Sequence, residues 1–266
     1  MSDRHATLAS FVDDLQAKGR YTFRRDEALE ALAVSDLALK NAARRLTVKG
    51  RLALPHRGFY VIVPLEYRVA GAPPPAWFID ALMRFYRRPY YVGLLTAASL
   101  HGAAHQQPQE FQVVTDGILR PATAGRSRIR FFTKKRAAAT PTVSLKTETG
   151  TMRVSTPEAT ALDLVRYASA AGFLDNISVV LRDLAERIDA QALLAAAREE
   201  TELAPVQRLG FLLDLVADAK LTEPLATWLR DQRPRSAPLR AGQSSSGCRK
   251  ERRWAVAVNQ EIEVEE

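Results

Sequence analysis

Cysteine is almost absent from this chain of 266 residues; Cys248 is the only one. A lone thiol excludes a disulfide framework and any cysteine-based zinc site, and it fits a reducing interior. No stretch approaches the roughly 18 uninterrupted apolar residues of a membrane-spanning helix. Residues 1–16, MSDRHATLASFVDDLQ, carry acids where a secretory leader needs an apolar core. The expectation is a cytoplasmic protein with no membrane partner. Glycine-rich phosphate loops, Gly-x-Ser-x-Gly and His-x-x-Glu-His are also missing, and with them the common signatures of phosphate cradles, serine hydrolases and zinc proteases.

What is present is ordinary globular material with a charge bias. The length exceeds that of one average domain, and 47 % hydrophobic residues are enough to fill two cores. Lysine and arginine number 38 against 30 acids, a net charge of +8 that favours a polyanionic partner.

Periodicity divides the chain. Leu8, Phe11, Val12 and Leu15 share one helical face within residues 6–18, and Gly19 stops that helix. A short extended piece at Tyr21–Phe23 precedes a second helix over 24–33, with Asp26 and Glu27 at its anion-favouring end. Ser35 can cap a third helix reaching about Lys49, with Leu39, Ala42, Ala43 and Leu46 as its buried stripe. After Gly50 the period becomes 2. Arg51–Leu54 and Phe59–Val63 read as strands joined by a turn over residues 55–58. This order is that of a winged helix-turn-helix over residues 1–65.

Residues 66–76, with Pro73-Pro74-Pro75, read as an extended linker. Residues 77–266 then mix helices and strands. Helices are expected from Trp77, over 93–103 and at 158–169, 174–187, 190–200, 205–219 and 223–231. Strands are expected at 111–115, 127–133, 142–148, 151–154, 254–258 and 260–265, with Thr149-Gly150 as a hairpin turn and 232–251 as a basic loop. The fold class is α+β: a winged helix-turn-helix followed by a larger mixed α/β part.

The positive charge is concentrated. No acid occurs from Leu37 to Leu65, while Lys40, Arg44, Arg45, Lys49, Arg51 and Arg57 are all basic. Lys40 with Arg44, and Asn41 with Arg45, are i,i+4 pairs off the buried stripe. Arginine can read guanine and asparagine adenine in a major groove, while Ser35, Lys49, Arg51 and the hairpin residues His56 and Arg57 can meet phosphates or an adjacent groove. A basic helix face is also what a solvated surface or a protein-docking winged helix presents. A second acid-free window, Gly117–Thr147, holds Arg126, Arg128, Arg130, Lys134 and Lys135. It reads as a further nucleic-acid surface, a dock for an acidic protein, or an exposed sheet face guarded by charge.

Catalytic chemistry is hard to assemble. His101 and His105 have metal-pair spacing but no third ligand, so they read as structural; His5 and His56 have no recognisable partners. A metal-dependent nuclease needs clustered acids near a lysine, and the strand region offers only Glu110, Asp116 and Glu148. Asp163, Asp175, Asp183 and Asp189 read as helix-surface or capping residues. The expectation is a protein without catalytic activity, metal or cofactor, with a nuclease that uses its winged helix to deliver DNA, or a pure docking module, as the alternatives.

Val34–Leu46, Lys49–Leu52 and Arg57–Ile62 resemble the winged helix of the AbiEi antitoxins. Tyr90–Gln106, Phe111–Thr115 and Ser155–Ala159 resemble that family's C-terminal domain. The resemblance implies a bacterial antitoxin of an abortive-infection, type IV toxin–antitoxin system. It further implies an autorepressor that binds double-stranded DNA at inverted repeats in its own promoter. The family's C-terminal domain counters a nucleotidyltransferase-like toxin, usually without a stable complex. Lys40, Asn41, Arg44, Arg45, Arg51 and Arg57 would then belong to the recognition helix and wing, and Arg128 and Arg130 to a positive C-terminal surface.

Overall fold

The computed structural model describes residues 7–103 and 108–262. Thr7 accepts the Ser10 amide at 3.1 Å and so caps α1 (Leu8–Ala17), whose Leu8, Phe11, Val12 and Leu15 are buried. Strand β1 (Thr22–Arg24) leads into α2 (Arg25–Leu32), and α3 (Asp36–Val48) follows. A hairpin of β2 (Leu52–His56) and β3 (Phe59–Ile62) takes β1 onto its other edge, giving an antiparallel sheet ordered β1-β3-β2. An aromatic stack holds this unit: Phe23 lies flat on Tyr60 at 4.8 Å and edge-on to Phe11 at 5.4 Å. The turn is narrower than expected. A register shift between Ala53 and His56 carries β2 to His56 and leaves Arg57 and Gly58 between the strands.

The Pro-rich segment is not an extended tether. It folds into two 3-10 turns, Leu65–Tyr67 and Pro75–Trp77. Trp77 packs edge-on to Tyr21 at 5.0 Å and to Tyr67 at 5.3 Å, so apolar burial overrides the extended bias of consecutive prolines.

Beyond it come α4 (Ile79–Tyr86), β4 (Tyr90–Val92), α5 (Leu94–Leu100), β5 (Glu110–Thr115), β6 (Ala122–Ala124), β7 (Ser127–Thr133), β8 (Thr142–Thr147) and β9 (Gly150–Ser155). These strands form one six-stranded mixed sheet, ordered β6-β7-β5-β4-β9-β8. The β5/β7 and β4/β9 pairs are parallel. Strands β4 and β6 are additions to the sequence reading, and β4 sits mid-sheet. Thr147 pairs with Gly150, so the tight turn is Glu148-Thr149, one residue earlier than expected. Helices α6 (Pro157–Arg166), α7 (Phe173–Ala185), α8 (Ala190–Arg198), α9 (Leu203–Val216) and α10 (Ala219–Asp231) form the helical layer. The basic stretch 232–251 is not all loop. It contributes β10 (Ala237–Pro238) and β11 (Arg249–Glu251), which flank β12 (Val256–Val258) in a small sheet. Residues 259–262 form no strand, and 263–265 lie outside the described residues. The class is α+β, with a helical N-terminal region and a larger C-terminal α/β part.

Each face of the large sheet has its own core. Tyr91, Val114 and Phe132 pack under α6, α7 and α9. Val92, Val113, Ile129 and Val154 pack against Phe78, Ile79, Leu82 and Met83, and this second core continues into Phe59, Val61 and Val63 of the hairpin. The N-terminal hairpin and the large sheet therefore share one body of apolar side chains.

Two backbones also cross closely. The Arg126 amide donates to the Ala70 carbonyl at 2.8 Å. A Cβ on Gly125, whose φ is +55°, would fall 2.2 Å from that same oxygen. Gly125→Ala should therefore lower stability by about 3 kcal/mol, combining the left-handed penalty with overpacking. Chemical denaturation reads this directly, and an unchanged midpoint would show that the crossing opens at no cost.

Candidate nucleic-acid interface

The third helix is built to show one face. Ser35 accepts the Ala38 amide at 3.3 Å, as its position before the helix requires, and Asp36 occupies the first turn where the dipole favours it. Leu39, Ala43 and Leu46 are buried against α1, α2 and β2. At 3.6 residues per turn, the direction opposite that stripe is held by Leu37, Asn41, Arg44 and Val48, spaced i, i+4, i+7 and i+11, with Lys40 and Arg45 on its flanks. Lys40, Asn41, Arg44, Arg45 and Lys49 are all exposed. Among the described residues Lys40, Arg44, Arg45, Lys49 and Arg57 have no ion-pair partner.

Two apolar members of this face escaped the sequence reading. Leu37 is 67 % exposed and Val48 82 % exposed. Their signal was present: both fall out of phase with the 39/43/46 stripe. A basic ridge bracketed by apolar groups suits a major groove, where methyl contacts select thymine and guanidinium forks select guanine.

Other expected contacts are engaged elsewhere. Arg51 is half-buried and ion-paired with Asp13 of α1, so its charge is spent inside the fold. His56 is exposed, but its ring packs on Tyr86 at 5.0 Å and Phe85 at 5.4 Å, which anchors the hairpin to α4.

The second acid-free window does not form a continuous basic face. Arg128 and Arg130 do share a side of β7, yet both reach Glu110 on the adjacent strand, at 3.0 and 3.4 Å, and Arg130 lies 5.0 Å over the Phe132 ring. Arg126 and Lys135 are exposed. Lys134 is not a surface residue at all. It is 8 % exposed and its Nζ donates to Asp163 at 3.1 Å and Glu200 at 2.6 Å. Asp163, expected on a helix surface, is fully buried and also accepts the Tyr91 hydroxyl at 2.7 Å. Burial pushes the Asp163 carboxyl up, Lys134 opposes that rise, and the Tyr91 phenol is driven well above its ordinary value. Arg166 closes the network on Glu200 at 2.5 Å.

The remaining candidates are dispersed. Glu110 is held by the two arginines and Asp116 by Arg88 at 3.3 Å, while Glu148 lies in the β8–β9 turn. His101 makes a 2.7 Å bond between Nε2 and the Ser155 carbonyl, tying α5 to β9. His5 and His105 lie outside the described residues. Asp189 caps α8 as expected, accepting from the Gln191 and Ala192 amides. Among the described residues no group of three or more His, Cys, Asp or Glu side chains could hold a metal ion. None of their helices is long and apolar enough to cross a membrane.

No curated protein matches the sequence. The fold resembles the crystal structure of the RV2827C protein from Mycobacterium tuberculosis, with a TM-score of 0.66 at 15 % identity, over 96 % of this chain and 92 % of that one. Residues 91–215, which run from β4 through most of α9, match the family model of the AbiEi antitoxin C-terminal domain. Through that domain, the chain belongs to the AbiEi antitoxin family.

Proposed function

We propose that this protein is a cytoplasmic, sequence-specific DNA-binding autorepressor that also serves as the antitoxin against a nucleotidyltransferase-type toxin. The antitoxin half rests on the AbiEi domain at residues 91–215. The DNA half rests on one observation: the outward face of α3 carries Lys40, Asn41, Arg44 and Arg45 fully accessible and without acidic partners. In this reading α3 lies in the major groove of the protein's own promoter at inverted repeats, and Arg57 reaches an adjacent phosphate from the hairpin turn. The protein does no chemistry on the DNA.

Five cations remain available once Arg51 is set aside: Lys40, Arg44, Arg45, Lys49 and Arg57. If each meets a phosphate or displaces its counterion, log K against log salt should slope at about −4.5. Fluorescence anisotropy on a duplex from immediately upstream of the gene measures this. A slope near zero would remove the DNA-binding half and leave the antitoxin assignment standing.

A further inference from the structure

The cationic row on α3 does not stop at the helix. Asp36, Lys40 and Arg44 follow each other at i, i+4 and i+8, so they share one side of α3 over about 12 Å of helix axis. At the N-terminal end of that row, Asp36 is ion-paired with Arg25, the first residue of α2. Arg25 in turn lines a cleft with Arg24, Arg57, Arg84, Arg87 and Asp26. The cleft thus continues the α3 row past the hairpin turn and onto α4, a part of the chain outside the family-matched region.

Its charge is unbalanced. Five guanidiniums face one lining carboxylate, which leaves +4. Asp36 and Asp80, paired with Arg25 and Arg84 from outside the lining, reduce this to +2. The excess sits on Arg57 and Arg87, which have no ion-pair partner among the described residues and are both exposed. The walls are fixed before any ligand arrives. The Arg25 amide donates to the Gly58 carbonyl at 2.9 Å, and Phe59 and His56 both pack on Phe85 of α4. Arg87 holds a left-handed backbone, φ 54°, at the end of α4, where glycine or asparagine is the usual occupant.

We propose that this arginine cleft is a second DNA-backbone site, which seats two consecutive phosphates of the strand flanking the groove that α3 enters. Guanidinium forks match phosphate oxygens bidentately, and the fixed walls spare the ordering cost of a free wing. α4 therefore contributes to DNA binding through Arg87, with Arg84 beside it, although it lies outside the winged-helix elements. This extends the autorepressor reading above and rests on it.

The test uses the full chain and two duplexes, the upstream DNA and a scrambled sequence of equal length. Arg57→Gln and Arg87→Asn should each lower the magnitude of the salt slope by about 1, and the double variant by about 2. The affinity ratio between the two duplexes should not change, because phosphate contacts carry no sequence. Arg87→Lys should restore the slope. Asparagine suits a left-handed position, so Arg87→Asn should melt no lower than wild type, which separates the cleft from a folding defect. A wild-type slope retained in Arg87→Asn would overturn the cleft alone. Salt-independent binding by the wild type would overturn the autorepressor reading, and the cleft with it.

Discussion

Replacing Lys134 with methionine should destabilise the protein by about 3–5 kcal/mol, a fall in Tm of about 10 °C. Methionine keeps the unbranched stem and removes only the ammonium. What remains is Asp163, fully buried, with the Tyr91 hydroxyl as its one compensating contact. Glu200 fares better because Arg166 still holds it at 2.5 Å. The stranded carboxylate carries the cost, and this gives the prediction a pH signature. Burial already raises the Asp163 carboxyl above 3.8, and losing Lys134 removes the influence that restrains it. Between the unfolded value and this higher folded value the native chain binds more protons than the unfolded one. Stability of the variant therefore rises as pH falls through the folded value and levels off below about 3.9. The deficit relative to wild type should be larger at pH 7.5 than at pH 5.5. Adding Asp163→Asn should recover part of it, since the amide still accepts from Tyr91 without a buried charge. A deficit that is the same at both pH values and unmoved by Asp163→Asn would mean that lost packing, not an uncompensated carboxylate, sets the cost.

The same network marks the limit of what the sequence discloses. Lys134 sits in a window free of acids, yet its partners come from 29 and 66 residues away. Arg51 likewise meets Asp13 from 38 residues upstream. A linear charge window counts neighbours along the chain, whereas ion pairing is decided in space, so these cations read as surface charge. Local signals fared well where they were redundant. Ser35, the 39/43/46 stripe and Gly50 agree on one helix, and α3 follows within a residue or two of the expected limits. Strand β7 keeps both expected ends because Arg128, Ile129, Arg130 and Phe131 alternate cleanly. β4 was invisible for the opposite reason. It is three residues long, buried on both faces, and runs through Gly93 into the apolar start of α5, so neither period can declare itself. The Pro-rich segment misled because chain stiffness was read without the aromatic side chains it packs against.

The candidate site was legible because its signal is local: exposure on a helix follows from phase, and phase is in the sequence. That makes its removal a clean experiment. Lys40→Ala/Arg44→Ala/Arg45→Ala should weaken binding to the upstream duplex by about a hundredfold or more. A base-reading arginine accounts for about 1–3 kcal/mol of this, and two further cations add their phosphate contacts. The salt slope should fall in magnitude by about 3 at the same time. None of the three side chains has an ion-pair partner among the described residues, and alanine is the strongest helix former, so Tm should hold or rise. Asn41→Ala isolates sequence reading from charge. It should leave the salt slope unchanged while cutting the preference for the upstream duplex over a scrambled one, because an amide that pairs with adenine releases no counterions. Leu37 and Val48 stand on the same ridge, and trimming either to alanine should cost preference in the same way wherever a thymine methyl lies beneath. If the triple variant binds as wild type does, α3 is not in the groove, and the exposed face between Ser35 and Lys49 serves some other partner.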